Sequence, residues 1–243
     1  MAIYRIDLSY DGSGFQGYAK QDGERTVQGV LESALETVLR SSVTTAVAGR
    51  TDAGVHAYGQ VVSFEFDGDI EANRLRKSLN GLTGQEIAVK SVGRVADTFN
   101  ARFSAKWRRY RYVLSTQPTD DPLMRHVIWH VHRSLDLDVM KAVGEAFVGR
   151  HDFTSFCRSV EGKSNVRVVE EAHWSEREGL YEFWVKSNSF CQQMVRSLVG
   201  YAYDVGRGFA EQGNTSEVIE ARNRSLIKTV APSHGLNLWE VGY

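Results

Sequence analysis

A chain of 243 residues can bury one large core or two smaller ones, and the usual domain size of about 100 to 150 residues makes two the expectation. With 42% hydrophobic and 24% charged residues, the composition is that of an ordinary folded protein and excludes a disordered chain. The net charge of -1 excludes a protein that coats nucleic acid without specificity, because such binding grows with the number of phosphates neutralised. Arg5 and Asp7 stand close to the N-terminus with no continuous apolar run behind them. Neither a signal peptide nor a membrane span is expected, and the location should be cytoplasmic. Cys157 and Cys191 lack C-x-x-C spacing, so neither a disulfide framework nor a structural zinc site is expected, and both read as free thiols.

Residues 4–10 alternate apolar and polar and run into Asp11-Gly12-Ser13-Gly14, the pattern of a half-buried strand closed by a turn. Val27, Val30, Leu31, Ala34, Leu35, Val38 and Leu39 follow three-then-four spacing, with Thr26 available as N-cap, which predicts an amphipathic helix. A short strand over 44–48 and another carrying Val62, Phe64 and Phe66 on one face leave 49–59 as a loop. A helix over 71–80 and a strand over 87–95 complete the order strand, helix, strand, strand, helix, strand, which is that of ferredoxin-like domains. A second unit begins near Trp107, with strands over 107–114 and 127–131 and a helix over 137–147. Strands over 166–174 and 180–186 form a hairpin around Arg177-Glu178-Gly179, and 190–205 reads as a long helix with Met194, Leu198, Ala202 and Val205 inward. The expected domains are 1–105 and 106–243, both mixed α+β.

The loop Gly49-Arg50-Thr51-Asp52-Ala53-Gly54-Val55-His56 presents a carboxylate on a tight turn with a cation two residues before it. By itself an Asp-x-Gly loop reads as an ordinary turn in which Asp bonds its own backbone. Arg196, flanked by Met194, Val195, Leu198 and Val199, either lies partly buried and takes a carboxylate such as Asp52 as partner or snorkels to solvent. On the 107–114 strand the period of two puts Arg108, Tyr110 and Tyr112 on one face and Arg109, Arg111 and Val113 on the other. No acidic residue occurs from Thr98 to Thr119, a window that also holds Arg102, Lys106, Phe99, Phe103 and Trp107. Such a basic and aromatic patch suits unpaired or flipped-out RNA, with rings stacking bases and cations holding phosphates; taken singly, each of these tyrosines reads rather as a core residue with a wet hydroxyl. His126, His130 and His132 share strand parity, but no acidic or cysteine partner is spaced to help, so no metal site is assigned. The glycine-rich segment 11–17 lacks the Gly-Lys-Ser/Thr ending of a P-loop.

Taken together, several blocks in order resemble the tRNA pseudouridine synthase A family. They are Tyr10-Asp11-Gly12-Ser13, the Asp52 loop with Gly59-Gln60-Val61-Val62, and Phe99-Asn100-Ala101-Arg102-Phe103-Ser104-Ala105 running into Arg108-Arg109-Tyr110-Arg111-Tyr112. In the second half come Asp152-Phe153-Thr154-Ser155-Phe156 and Met194-Val195-Arg196 with Val199-Gly200. The resemblance implies an isomerase that converts uridine to pseudouridine in the anticodon stem-loop of tRNA, without cofactor or metal. Asp52 would be the nucleophile, Tyr110 would stack on the target uracil, Arg196 would orient Asp52, and Arg50 would line the pocket. Arg102, Lys106, Arg108, Arg109 and Arg111 are the expected RNA contacts. A homodimer is implied, as are two ferredoxin-like-related domains with largely antiparallel sheets in one continuous sheet and the active-site cleft between them. Tyr18-Ala19-Lys20-Gln21 and Gln192-Gln193 depart from the family pattern. The matched blocks hold no second carboxylate to serve as general acid, which disfavours a sugar-cleaving hydrolase.

Overall fold

Alternation in the first strand organises everything packed against it. β1 (Ala2–Tyr10) buries Tyr4, Ile6, Leu8 and Tyr10 while Arg5, Asp7 and Ser9 stay half-exposed. The computed structural model describes residues 1–158, 160, 162–210 and 215–243. Within these the chain forms two units, Met1–Arg108 with Asn237–Tyr243, and Arg109–Leu236.

In the first unit β1 runs antiparallel to β3 (His56–Phe66) on one side and to β4 (Ile87–Val95) on the other. The free edge of β3 takes two short partners. β2 (Thr45–Val47) pairs antiparallel near its end, and β10 (Leu236–Gly242) pairs parallel at His56 and Ala57. α1 (Val27–Leu39) starts where the Thr26 hydroxyl accepts the Gly29 N–H at 3.2 Å, satisfying one of the helix's orphan donors. It buries Leu31 and Leu35 completely, together with Leu79 of α2 (Ala72–Leu82) and with Ile6, Leu8 and Ile87. Each such side chain contributes roughly 1.5 to 3 kcal/mol on burial.

In the second unit the strand order is β5 (Trp107–Ser115), β9 (Leu180–Ser187), β8 (Val166–Arg177) and β7 (Gly149–Asp152), with β6 (Trp129–His130) parallel to the end of β5. The β8–β9 hairpin turns at Glu178 and Gly179, both with positive φ, 56° and 77°, as a two-residue I′-type turn requires. α3 (Leu137–Ala146) is capped by Asp136, whose carboxylate accepts the N–H groups of Asp138 and Val139. It packs on β8 and on α4 (Met194–Gly206). Phe147, Phe153, Phe156 and Tyr201 meet edge-to-face at centroid separations of 5.3 to 6.4 Å, a favoured arrangement for buried rings.

The α+β class and the mostly antiparallel pairing match the expectation from sequence, and the first four strands and two helices follow the expected order. Other expectations need correction. The helix expected over 190–205 starts only at Met194, because Gln193 adopts a left-handed conformation at φ 63°. The strand expected over 127–131 is reduced to Trp129–His130. β7 and β10 were not foreseen. Cys157 and Cys191 are not free thiols: they form a disulfide with Cα atoms 5.7 Å apart. Their separation of 34 residues conceals the proximity, which arises because the Arg158 N–H donates to the Gln192 carbonyl at 3.0 Å. None of the described helices is long and apolar enough to cross a membrane.

Candidate active site

The Asp52 loop is clasped by the segment that follows β1. The Tyr18 N–H donates to the Thr51 carbonyl at 3.0 Å, and the Gly54 N–H to the Phe15 carbonyl at 3.4 Å. A turn closed by the Val55 N–H on the Asp52 carbonyl, at 3.2 Å, completes the loop. Two glycines permit this approach. A Cβ on Gly12 would lie 2.1 Å from the Val55 carbonyl oxygen, and Gly17, at φ 97°, would place one 3.0 Å from that of Thr51. Beneath the loop, the Tyr10 hydroxyl meets the Thr51 hydroxyl at 2.8 Å, and Gln60 bonds both the Tyr10 oxygen and the Gly49 carbonyl. Burial pushes the Tyr10 phenol up to about 12, against the opposing pull of its bonds to Thr51 and Gln60, so it remains a neutral partner at working pH. His56, also buried, accepts the Gly12 N–H on Nδ1 at 3.0 Å. The Asp11 carboxylate lies 3.2 Å from the same nitrogen. Asp52 itself is half-buried and Arg50, two residues before it, is exposed, so a carboxylate on a fixed backbone stands at the surface of the first unit.

The cations expected to touch RNA divide into two sets. Arg102 and Lys106 are exposed. Arg108 is drawn inward, its guanidinium donating to the carbonyls of Ala48, Ala105 and Arg102, so it braces the strand that leads into the Asp52 loop. Arg109 donates to Glu171 at 2.7 Å, and Arg111 pairs with Glu182. Both lie over the Trp184 ring, at 4.7 and 5.7 Å from its centroid.

The second unit holds Tyr110 and Arg196. Tyr110 is only 7% exposed and meets Phe190 edge-to-face at 5.0 Å, which fixes the plane of its ring. Tyr112, sharing its face, is a core residue: it is fully buried and donates its hydroxyl proton to the Pro232 carbonyl at 2.9 Å. Burial raises the Tyr112 phenol well above its ordinary value, and the Arg196 charge opposes the rise. Arg196 donates Nε–H to the Ala231 carbonyl at 2.7 Å, and the Ala231 N–H returns a bond to the Arg196 carbonyl at 3.0 Å. One turn further along α4, a Cβ on Gly200 would lie 2.1 Å from the Thr229 carbonyl oxygen. Gly200 therefore lets the 229–231 segment approach closely enough to orient the guanidinium.

Asp52 and Arg50 thus belong to the first unit, Tyr110 and Arg196 to the second. The departures from the family pattern have a local account in one case: Tyr18 is fully buried, its ring tilted against that of Tyr10 at 6.3 Å. Phe190, which orients Tyr110, was not singled out from sequence, although it stands directly before the Cys191-Gln192-Gln193 segment. Gln60 was legible as a polar residue inside an apolar strand. His130 and His132 have an acidic neighbour that the sequence reading missed, Asp120, at 2.8 and 3.5 Å. Among the described residues no group of three or more His, Cys, Asp or Glu is arranged to hold a metal ion.

Comparison with known proteins bears on the same residues. A family model described as tRNA pseudouridine synthase matches residues 8–104 and 144–243, ranges that include Asp52 and Arg196. The tRNA pseudouridine synthase A of Streptomyces griseus is 44% identical over 248 residues, spanning 98% of this chain and 87% of that protein. Its counterparts in Bacillus licheniformis and Bacillus subtilis are 39% and 38% identical, each over 242 residues and 98% of both chains. The chain belongs to the tRNA pseudouridine synthase family.

Proposed function

We propose that this protein isomerises uridine to pseudouridine in the anticodon stem-loop of tRNA, with Asp52 as the nucleophile. The observation that carries the reading is the clasped loop: a half-buried carboxylate whose backbone is fixed by the Tyr18 and Gly54 bonds, in a chain of this family. Rigid placement of the reacting group removes much of the entropic barrier to attack.

Isomerisation breaks the N1–C1′ bond, turns the base and joins C5 to C1′. The C5 hydrogen then leaves as a proton and N1 gains one, so atoms and charge balance with no redox cofactor or metal. One carboxylate suffices, whether it attacks C1′ as in retaining glycosidases, attacks C6, or begins by taking the C2′ proton. The scissile bond is shielded in a stacked helix, so the uridine must flip out at a cost of a few kcal/mol. In this reading stacking on Tyr110 offsets that cost, Arg196 orients Asp52 by ion pairing, and Arg50 lines the pocket. Arg102 and Lys106, the exposed cations, take the phosphates, while Arg108, Arg109 and Arg111 add to the positive potential that draws the RNA in. The reading extends to a cytoplasmic homodimer in which one tRNA spans both subunits, which would reconcile tight binding with a net charge of -1.

The test is tritium release from unmodified tRNA labelled at uracil C5. Steady release by the folded wild-type protein is expected. No release above background would sink the assignment and favour a non-catalytic RNA-binding protein, for which Asp52→Ala would have no activity to remove.

A further inference from the structure

The turn Asn100 to Ser104 is more tightly fixed than a surface turn requires. Every backbone N–H in it is engaged: Asn100 to the Ser104 hydroxyl at 3.0 Å, Ala101 to the Ser63 hydroxyl at 2.9 Å, Arg102 and Phe103 to the Asn100 side-chain oxygen at 2.9 and 3.2 Å, and Ser104 to the Asn100 carbonyl at 2.9 Å. From outside the turn, the Tyr243 hydroxyl donates to the Ala101 carbonyl and the Arg108 guanidinium to that of Arg102, both at 2.8 Å. Ala101 is completely buried, yet Phe103 is 79% exposed. The Arg102 guanidinium lies 5.2 Å from the Phe103 ring centroid, within cation–π range.

Single apolar side chains on a surface are common and need no explanation. Phe103 differs because its backbone is immobilised, its ring already carries a cation, and exposed Lys106 stands nearby in a window free of acidic residues. An exposed flat ring on a fixed backbone, with a cation against it, is the arrangement that accepts an unpaired base while its phosphate meets that cation. A protein partner would gain little from an isolated ring with cationic surroundings.

We propose that Phe103, backed by Arg102, is a second stacking platform for an unpaired nucleotide of the tRNA, separate from the uridine that Tyr110 receives. Stacking is sequence-tolerant because every base offers a π-face, so this platform anchors the RNA without choosing the target. The inference rests on the tRNA-modifying reading, and the two can fail separately.

Affinity of full-length unmodified tRNA should be measured for wild-type protein, Phe103→Ala, Phe103→Leu and Phe103→Trp over a range of salt concentrations. Both the Ala and Leu variants should bind about tenfold more weakly, and the Trp variant should stay within about twofold of wild type. The dependence on salt should be unchanged, because a lost stacking contact releases no counterion. Wild-type affinity in Phe103→Leu would reduce Phe103 to apolar bulk, and wild-type affinity in Phe103→Ala would remove it from the RNA altogether. A change of oligomeric mass without RNA would make it a contact between copies; each of these overturns the proposal. Tritium release by the same wild-type preparation reports on the catalytic reading independently.

Discussion

In the first unit Asp52 is fixed by one loop closing on another, through backbone hydrogen bonds that Gly12 and Gly17 make sterically possible. In the second unit Arg196 is fixed by a return segment, 229–231, that approaches α4 at Gly200, while Tyr110 is held by Phe190 next to a disulfide. Both placements rest on contacts about equally far apart in sequence, Thr51 with Tyr18 and Gly54 with Phe15 in the first unit and Arg196 with Ala231 in the second, but the second unit adds a covalent crosslink, Cys157–Cys191. The two should therefore respond differently to perturbation. The first unit has no crosslink to lose, whereas the second is closed by one.

The largest expected effect is on chemistry alone. Asp52→Asn keeps the loop's shape and should lower turnover by about 10⁴-fold or more, with tRNA affinity and thermal midpoint near wild type. An affinity loss matching the turnover loss would make Asp52 a binding residue. Next, the crosslink: opening a loop of 34 residues should cost about 4 kcal/mol. Dithiothreitol should lower the unfolding free energy of wild type by that amount and leave Cys157→Ser unaffected. Equal stability of oxidised and reduced wild type would remove the disulfide from the account of the second unit. Because disulfides are rare in reducing cytosol, thiol trapping in cells tests this bond together with the proposed location.

A smaller loss, about 2 kcal/mol, is expected for Gly12→Ala, whose new methyl would meet the Val55 carbonyl. Gly93→Ala has nothing within 4 Å of the added carbon and should be neutral. Denaturant titration of the pair separates them, and equal midpoints would contradict the clasp. The smallest effect belongs to Tyr110→Phe, which keeps the stacking face and should leave tRNA affinity within about twofold. A large fall would show that the hydroxyl, not the ring, carries the contact.

The difference between local patterns and long-range contacts explains what sequence could reveal. Alternation over 4–10 and the helical spacing from Val27 to Leu39 are local signals, and both elements formed where they pointed. β10 was missed because its parallel pairing with His56 and Ala57 leaves no hairpin turn beside it in the sequence. The one hint was Gly59, where a Cβ would collide with the Trp239 carbonyl oxygen at 2.2 Å, since a glycine inside a strand often marks close approach of another backbone. Asp52 in isolation looked like a turn residue, and it does sit on a turn. Only the sequence blocks around it made it a candidate, and the Tyr10, Thr51 and Gln60 network supplies the physical reason for its rigidity. Gln193 breaks the helix through its own backbone angle, which no apolar spacing reports. Tyr110 and Tyr112 were indistinguishable by periodicity, and the Pro232 hydrogen bond assigns Tyr112 to the core.

The central claim is that Asp52 from the first unit and Arg196 from the second serve one uridine. Single-turnover tritium release should be compared for wild type, Asp52→Glu, Arg196→Lys and the double variant. If the residues act as one, the losses will fall short of additivity by more than about 1 kcal/mol of activation free energy. Losses that add within about 0.5 kcal/mol would contradict it.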